Sequence, residues 1–353
     1  MEKIVYTPQE RSAAPSERTE PVKIAVIGNR HDHTLPNLNA MKANPETFDI
    51  IGAAELDETK SLKPFEGIRI YTLDELLRMD RLEAVVIEAG KEYEIGYAQK
   101  FADRGLPVFL DKPGSADLPR FERFMSTMKS KRLPVQIGYM YRFNPMVMKA
   151  AEMVDGGELG EIFSVEAQMS IYHQKEKREW LGRYKGGMMF YLGCHLVDMV
   201  CRFAGFPKEI IPLSCSTHSD GIDSEDYGCA IFRYDNGVSF IKTCAGEYNG
   251  FDRRQLVISG TKGTLEIRPW EILTDGGQLT DAKLTLASDA PPQAHDGSKL
   301  LRSEVYERYY PMLLHFAKLV RGEAVMQHDY DYEVRLLKTI IKACGAEDNV
   351  FIG

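Results

Sequence analysis

Val22-Lys23-Ile24-Ala25-Val26-Ile27-Gly28 is followed by helical spacing from Thr34 to Asn44, then by a second apolar run, Phe48 to Ala54, closed by Glu55. A buried strand ending in glycine, a helix and another strand open a βαβ unit, and the pattern continues downstream. Ile68 to Tyr71 reads as a short strand and Leu73 to Met79 as a short helix. Leu82 to Ile87 is a fourth strand, and Glu92 to Arg104 a helix stopped by Gly105. Leu106 to Leu110, the helix Leu118 to Lys131 and the strand Val135 to Tyr139 complete the series. Strands alternating with helices of this length give right-handed crossovers and a parallel sheet. Residues 22–140 are therefore expected to form an α/β Rossmann domain, a doubly wound parallel sheet.

The pattern changes after residue 140. Pro145 to Met153 has helical spacing, Ile162 to Ile171 alternates as a long strand, and Gly187 to Ala204 reads as one helix. Strands follow near Ile210 to Thr217, Tyr227 to Tyr234, Val238 to Ala245, Leu256 to Ser259 and Thr264 to Ile267. Asp235-Asn236-Gly237 and Lys262-Gly263 supply hairpin turns. Residues 287–299 form a polar loop, and Glu304 to Val320 and Tyr332 to Ala346 are closing helices. The expectation for 141–353 is an α+β domain for substrate binding and oligomerisation, its mainly antiparallel sheet open on one face. Such a face needs a cover, so a homodimer or homotetramer is expected.

Composition narrows the class. A chain of 353 residues exceeds one ordinary core, and 44% hydrophobic content suits a soluble globular protein. The net charge of -8 lacks the basic footprint of a nucleic-acid binder. No apolar run approaches the ~18 residues of a membrane span. Residues 1–21 read as a polar N-terminal arm without an apolar signal core. Cys194, Cys201, Cys215, Cys229, Cys244 and Cys344 form no Cys-x-x-Cys pair, which suits reduced, buried thiols in a cytoplasmic protein. His31 and His33 flank Asp32, but on ligand count no metal site is expected.

Strand, glycine, helix and an acid after the next strand outline a dinucleotide site. The glycine permits the tight turn, the helix start faces a pyrophosphate, and the acid binds a ribose hydroxyl. Gly28 and Glu55 fill the first and last roles. Between them, Gly28-Asn29-Arg30-His31-Asp32-His33 keeps a single glycine, so Asn29 and Arg30 are the candidates for phosphate contact. The other reading is a structural turn carrying no cofactor. Glu55 favours NAD, because a carboxylate repels a 2′-phosphate, while Arg30 keeps NADP open.

Asp111-Lys112-Pro113 ends the apolar run 106–110. A lysine at the carboxyl end of a parallel strand faces the crevice where ligands bind, and the proline stops the strand. Farther on, Tyr191, His195, Asp198 and Arg202 recur at helical spacing and form a polar stripe. His195 reads either as a general base or as a half-buried histidine held by Asp198. Tyr141, Arg142 and Asn144 follow the sixth strand; they line the substrate side or form a hinge with Arg142 paired to an acid. Trp180, Arg183 and Tyr184 are candidates to cover a substrate.

These motifs stand in a recognisable order: Asp111-Lys112-Pro113, then Tyr141-Arg142-Phe143-Asn144-Pro145, then Gly186-Gly187 and Leu192-Gly193-Cys194-His195-Leu196-Val197-Asp198. With Gly157-Glu158-Leu159-Gly160, Glu225-Asp226 and Gly260-Thr261-Lys262-Gly263, the chain resembles the Gfo/Idh/MocA oxidoreductase family from about residue 22 to its end. The resemblance implies NAD(P) on the Rossmann domain and dimers or tetramers built on the open sheet. It makes Lys112 the contact to the nicotinamide ribose and substrate hydroxyl, and His195 the acceptor of the hydroxyl proton. Gly28, Asn29, Arg30, Glu55, Ala89, Asp111 and Lys112 become the cofactor-binding positions. Tyr191 joins Lys112 and His195 as catalytic, and Tyr141, Arg142, Asn144, Trp180 and Asp198 bind substrate.

Two further segments depart from the family pattern. Its Thr-Pro-x-x-x-His stretch is Ala89-Gly90-Lys91-Glu92-Tyr93-Glu94 here, and Tyr191 stands where the family has an aspartate. A phenol donates a hydrogen bond but lacks the carboxylate's charge. The expected function is NAD(P)-dependent hydride transfer at a hydroxyl carbon of a sugar, polyol or related compound. The alternatives are a non-catalytic or regulatory ligand-binding relative, and an NAD-retaining enzyme with net elimination or hydrolysis of a glycoside.

Overall fold

The first strands in the chain are β1 (Glu2–Ile4), β2 (Val22–Ile27), β3 (Phe48–Ala54), β4 (Ala84–Ile87), β5 (Val108–Leu110) and β6 (Val135–Ile137). The computed structural model describes residues 2–4, 20–57, 61–289 and 297–353. Strands β2 to β6 form one parallel sheet in the order β3-β2-β4-β5-β6. Helices α1 (Thr34–Lys42), α2 (Leu73–Leu77), α3 (Glu94–Arg104) and α4 (Leu118–Lys131) make the connections. Ile24, Val26, Val85, Val86 and Phe109 are fully buried, as expected of strands covered on both faces, which read as unbroken apolar runs. The strand order reverses between β2 and β4, the switch point at which such sheets open a crevice.

The strand expected over 68–71 reduces to an isolated bridge between Ile70 and Ala53. Thr72 already caps α2 there, exchanging hydrogen bonds with Glu75 in a capping box, so the chain turns before pairing extends.

The second unit carries the rest of the sheet. Its helices are α5 (Pro145–Asp155), α6 (Lys175–Leu181) and α7 (Cys194–Ala204). Its strands are β7 (Ile162–Gln168), β8 (Glu209–Pro212), β9 (Tyr227–Arg233), β10 (Val238–Cys244), β11 (Gln255–Gly260) and β12 (Gly263–Ile267). A small hairpin, β13 (Ile272–Thr274) with β14 (Gly277–Leu279), precedes β15 (Asp281–Leu286) and β16 (Lys299–Ser303). The large sheet runs β1-β16-β15-β12-β11-β7-β10-β9-β8, antiparallel except for the β1/β16 and β7/β10 pairs. Helix α7 packs on β7 and β10. Burial alternates along β7, β9 and β10, leaving Phe163, Val238 and Phe240 exposed on this sheet.

Three expectations change. Helix α8 (Tyr310–Arg321), expected in the second domain, belongs with the first unit, where Tyr309–Leu337 joins residues 20–140. Phe316 on α8 packs edge-on against Phe109 of β5, and Gln136 beside β5 donates to the Met312 carbonyl at 2.7 Å. The last helix, α9 (Tyr330–Ala343), begins in that same unit, where the Tyr330 hydroxyl donates to the Leu133 carbonyl. Residues 2–4 of the expected arm are strand β1, paired with β16, whereas most of that arm and residues 290–296 of the expected polar loop lie outside the described residues. Four cysteines are buried, but Cys215 is exposed and Cys229, on an outward position of β9, is half-buried. No helix among the described residues is long and apolar enough to cross a membrane.

Candidate active site

In the Rossmann unit the loop after β2 starts at Gly28, whose φ of 81° lies in the left-handed region. A Cβ there would come within 2.8 Å of the Ala89 Cα, so only glycine lets the loops after β2 and β4 approach so closely. Gly28 N–H donates to the Ala54 carbonyl at 2.7 Å, and Arg30 N–H to the Glu88 carbonyl at 3.0 Å. Glu55 follows β3. Its Oε1 accepts from the backbone N–H groups of Leu56 and Asp57, both at 2.9 Å, while its buried Oε2 accepts no hydrogen bond among the described residues.

Asn29 donates to the Ser61 carbonyl at 2.7 Å, and Arg30 is ion-paired with Asp57 and with Glu92 at 3.3 Å. A dinucleotide suits the Gly28 turn and the spare acceptor of Glu55. At Arg30 it would have to share the guanidinium with two carboxylates.

Asp111 follows β5 and is the hub of a buried polar cluster. Its Oδ2 lies 2.8 Å from His31 Nε2 and 3.2 Å from Lys91 Nζ, and its Oδ1 lies 2.9 Å from His33 Nδ1. Lys91 also donates to Glu94 Oε2 at 2.8 Å and to the Asp111 carbonyl at 3.1 Å. Glu88 Oε1 accepts from Asn37 at 2.8 Å. Burial works against the Asp111 carboxylate, but His31, Lys91 and His33 hold its pKa well below the usual carboxylate range. Burial pushes His31 well below an ordinary imidazole. It raises Glu88 strongly, helped by the Asp111 charge, and carries Glu94 to about 8 against the pull of Lys91.

That shift has a sign. Between the ordinary Glu pKa of 4.5 and about 8, the unfolded chain ionises Glu94 while the fold keeps the proton. This group therefore lowers stability as pH rises through that window and adds nothing further above it. Glu94→Gln is expected to flatten the fall, measured as the thermal midpoint across pH 5 to 8; a parallel fall in both proteins would refute the assignment.

Sequence reasoning missed this cluster. It noted His31 and His33 only as neighbours of Asp32, and Lys91 and Glu94 only as a break in a family pattern. Lys112, next to Asp111, is 2% exposed.

In the second unit, Tyr141, Arg142 and Asn144 lie deep in internal networks. The Tyr141 hydroxyl donates to Glu271 at 2.7 Å and accepts from Arg254 at 2.9 Å and Arg308 at 2.6 Å. Burial first, then the Glu271 charge and its hydrogen bond, raise its pKa despite the two arginines. Asn144 caps α5: its Oδ1 accepts from Met146 and Val147 N–H, and its Nδ2 donates to Thr280 and Tyr306.

Arg142 clasps Asp198 through Nε at 3.0 Å and Nη2 at 2.8 Å. Asp198 is thus a partner of Arg142, and the expected support of His195 by Asp198 gives way to this pair. Arg142→Met, which strands a buried carboxylate, is expected to cost about 3–5 kcal/mol, measured by denaturant unfolding. A loss below 1 kcal/mol would contradict it.

His195 is fully buried, its ring edge-on to Tyr141 with centroids 4.9 Å apart. The expected single helix begins instead as a π-helical turn, Met189–Gly193, before α7. Gly187 (φ 41°) permits this start, since a Cβ there would sit 2.3 Å from the Glu225 carbonyl oxygen. The wide turn breaks the α-helical phase ahead of His195, and the two rings take different neighbours. Tyr191 lies edge-on to His173 and Trp180, with Lys177 Nζ 4.1 Å from the Trp180 ring centroid and 4.3 Å from that of Tyr191. Tyr184 also meets Trp180, at 5.4 Å. Trp180 and Tyr191 are half-buried, so this aromatic face reaches solvent.

A parallel sheet with a glycine turn, and a second unit whose mainly antiparallel sheet carries the His195 helix, define a Rossmann-type two-unit protein. Residues 147–266 match the GFO/IDH/MocA C-terminal domain. It is 26% identical over 197 residues to the uncharacterized oxidoreductase C26H5.09c of Schizosaccharomyces pombe, covering 54% of this chain and 53% of that relative. The match thus spans about half the length of that protein. Against the D-xylose 1-dehydrogenase (NADP(+)) 2 of Haloferax volcanii, identity is 25% over 295 residues, 81% of this chain and 86% of the relative. Among solved structures, KijD10, a 3-ketoreductase from Actinomadura kijaniata in complex with TDP-benzene and NADP, shares the fold with a TM-score of 0.73 at 17% identity, covering 94% of this chain and 99% of that one.

Proposed function

We propose that the chain is an NAD(P)-dependent oxidoreductase moving hydride between nicotinamide and a hydroxyl-bearing carbon of a sugar, polyol or related compound. The observation that carries the reading is the buried Oε2 of Glu55 after β3, beside the Gly28 turn, which accepts no hydrogen bond among the described residues. It offers the acceptor a ribose hydroxyl requires. The Haloferax relative, a sugar dehydrogenase matched over most of its length, supports the substrate class.

Gly28, Asn29, Arg30, Glu55, Ala89, Asp111 and Lys112 would hold the cofactor, whose nicotinamide ring supplies the hydride acceptor or donor when bound. The Lys112 ammonium stabilises negative charge developing on the substrate oxygen, and the His195 imidazole takes the hydroxyl proton. Tyr191 donates a hydrogen bond to substrate, while Trp180 offers an aromatic face to a sugar ring. Tyr141, Arg142, Asn144 and Asp198 act through the shape of that unit, their polar atoms being engaged within it. Glu55 favours NAD over NADP. A second copy of the chain covers the face bearing Phe163 and Phe240, giving a homodimer or homotetramer.

Titration of the protein with NADH and NADPH, followed by tryptophan-sensitised fluorescence, tests the reading. NADH is expected to bind more tightly. Binding of neither would overturn the proposal and leave the non-catalytic reading, which the ion-paired state of Arg30 favours.

A further inference from the structure

His31 and His33 have no part in the hydride chemistry, yet both rings turn a nitrogen toward the same carboxylate. One ring nitrogen of each histidine and one Asp111 carboxylate oxygen lie within 4.8 Å of one another. The side chains are 5%, 15% and 1% exposed. We propose that His31, His33 and Asp111 bind one divalent first-row transition-metal ion of the zinc or ferrous-iron class.

The donor chemistry selects the ion. Two imidazoles and one carboxylate suit zinc, iron, cobalt or nickel, whereas calcium and magnesium take sets of oxygens. The histidine nitrogens stand 2.8 and 2.9 Å from Asp111 oxygens, a spacing that two ligands of one ion with bonds of about 2.0–2.1 Å can take. An ion binds through the lone pair of one nitrogen on each ring, so a proton that a neutral ring carries on that nitrogen moves to its other nitrogen.

The donors come from backbone fixed on both sides. The His31 carbonyl accepts from Thr34 N–H at 3.1 Å and from its hydroxyl at 2.8 Å, and Asp111 N–H donates to the Ile87 carbonyl. Lys91 supplies the outer support, donating to Asp111 Oδ2 and so orienting the carboxylate.

Charge permits the ion despite that ammonium. Glu88 and Glu94 are buried in the same cluster, and each keeps one buried carboxyl oxygen that makes no hydrogen bond among the described residues. Three carboxyl groups thus share the cluster with one lysine, and Glu88 and Glu94 can give up their protons to solvent as a divalent cation enters. Three protein ligands leave coordination positions open, as at metals that also bind a substrate or water.

The proposal is tested with metal alone, so its outcome is separate from nicotinamide binding. Tag-free, metal-stripped full-length protein is titrated with Zn²⁺ by calorimetry. One ion per chain is expected, with affinity falling by on the order of 100-fold or more in His31→Gln and His33→Gln, beyond what loss of outer support alone costs. His218→Gln, at the exposed His218–Asp223 pair, leaves the titration unchanged. Absence of stoichiometric binding at millimolar Zn²⁺, or full binding in the doubly substituted protein, overturns the site. Should the variants melt early, X-ray absorption of the zinc-loaded native protein decides. A nitrogen and oxygen shell at ~2.0–2.1 Å supports it, and a sulfur shell at ~2.3 Å refutes it.

Discussion

Lys112→Ala is expected to lower kcat about 10²–10³-fold, the range lost when one preorganised donor to a developing oxyanion is removed. The residue follows the short buried strand β5 and is almost fully buried, so its contribution acts away from bulk water, where charge–charge terms are strong. Truncation to alanine removes the ammonium and leaves the strand, whose core residues Val108, Phe109 and Leu110 precede it. The measurement is turnover on a sugar and polyol panel at the reduced-nicotinamide absorbance, with NADH affinity taken in parallel. The expected pattern is a large loss in kcat with a smaller change in NADH affinity. Unchanged turnover would remove Lys112 from the reacting centre.

His195→Gln is expected to cost about 10²–10⁴-fold in kcat, the usual contribution of a positioned general base. Glutamine keeps much of the ring's volume beside Tyr141 and can donate and accept hydrogen bonds, but it does not take up a proton. The variant also separates chemistry from packing through its pH–rate profile. A general base leaves a limb where its protonation abolishes activity, and that limb should vanish in the variant. A purely structural histidine gives a few-fold loss, a lower thermal midpoint and an unchanged profile.

Much of the Rossmann sheet was legible because strands covered on both faces need unbroken apolar runs, and 22–27, 84–87 and 108–110 supply them. The errors arose where distant residues decide. Ile68 to Tyr71 carries a strand's residue types, but the Thr72–Glu75 cap redirects the chain after one bridge. The π turn at 189–193 depends on the approach of Gly187 to Glu225, which helical spacing does not encode. Tyr309–Leu337 joins the first unit because α8 presents Phe316 to Phe109, a match invisible until the sheet exists.

The site divides in the same way. Gly28 and Glu55 stood out by position relative to β2 and β3. The Asp111 cluster did not, because residues 31, 91 and 111 meet only when the loops following β2, β4 and β5 line up along one sheet end. Arg142 was weighed as the partner of an unspecified acid, and Asp198 is that acid.

The placement of Glu2–Ile4 alongside Lys299–Ser303 bears on how the protein is handled at the bench. An affinity tag joined at the amino end is tethered to a sheet margin, and cleavage that nicks those first residues bares a row of unpaired peptide groups on β16. Such a margin recruits other chains into mixed aggregates. For this protein the choice of expression vector and protease is therefore part of its colloidal behaviour, and batches differing by a few amino-terminal residues should be compared by light scattering before their kinetics are.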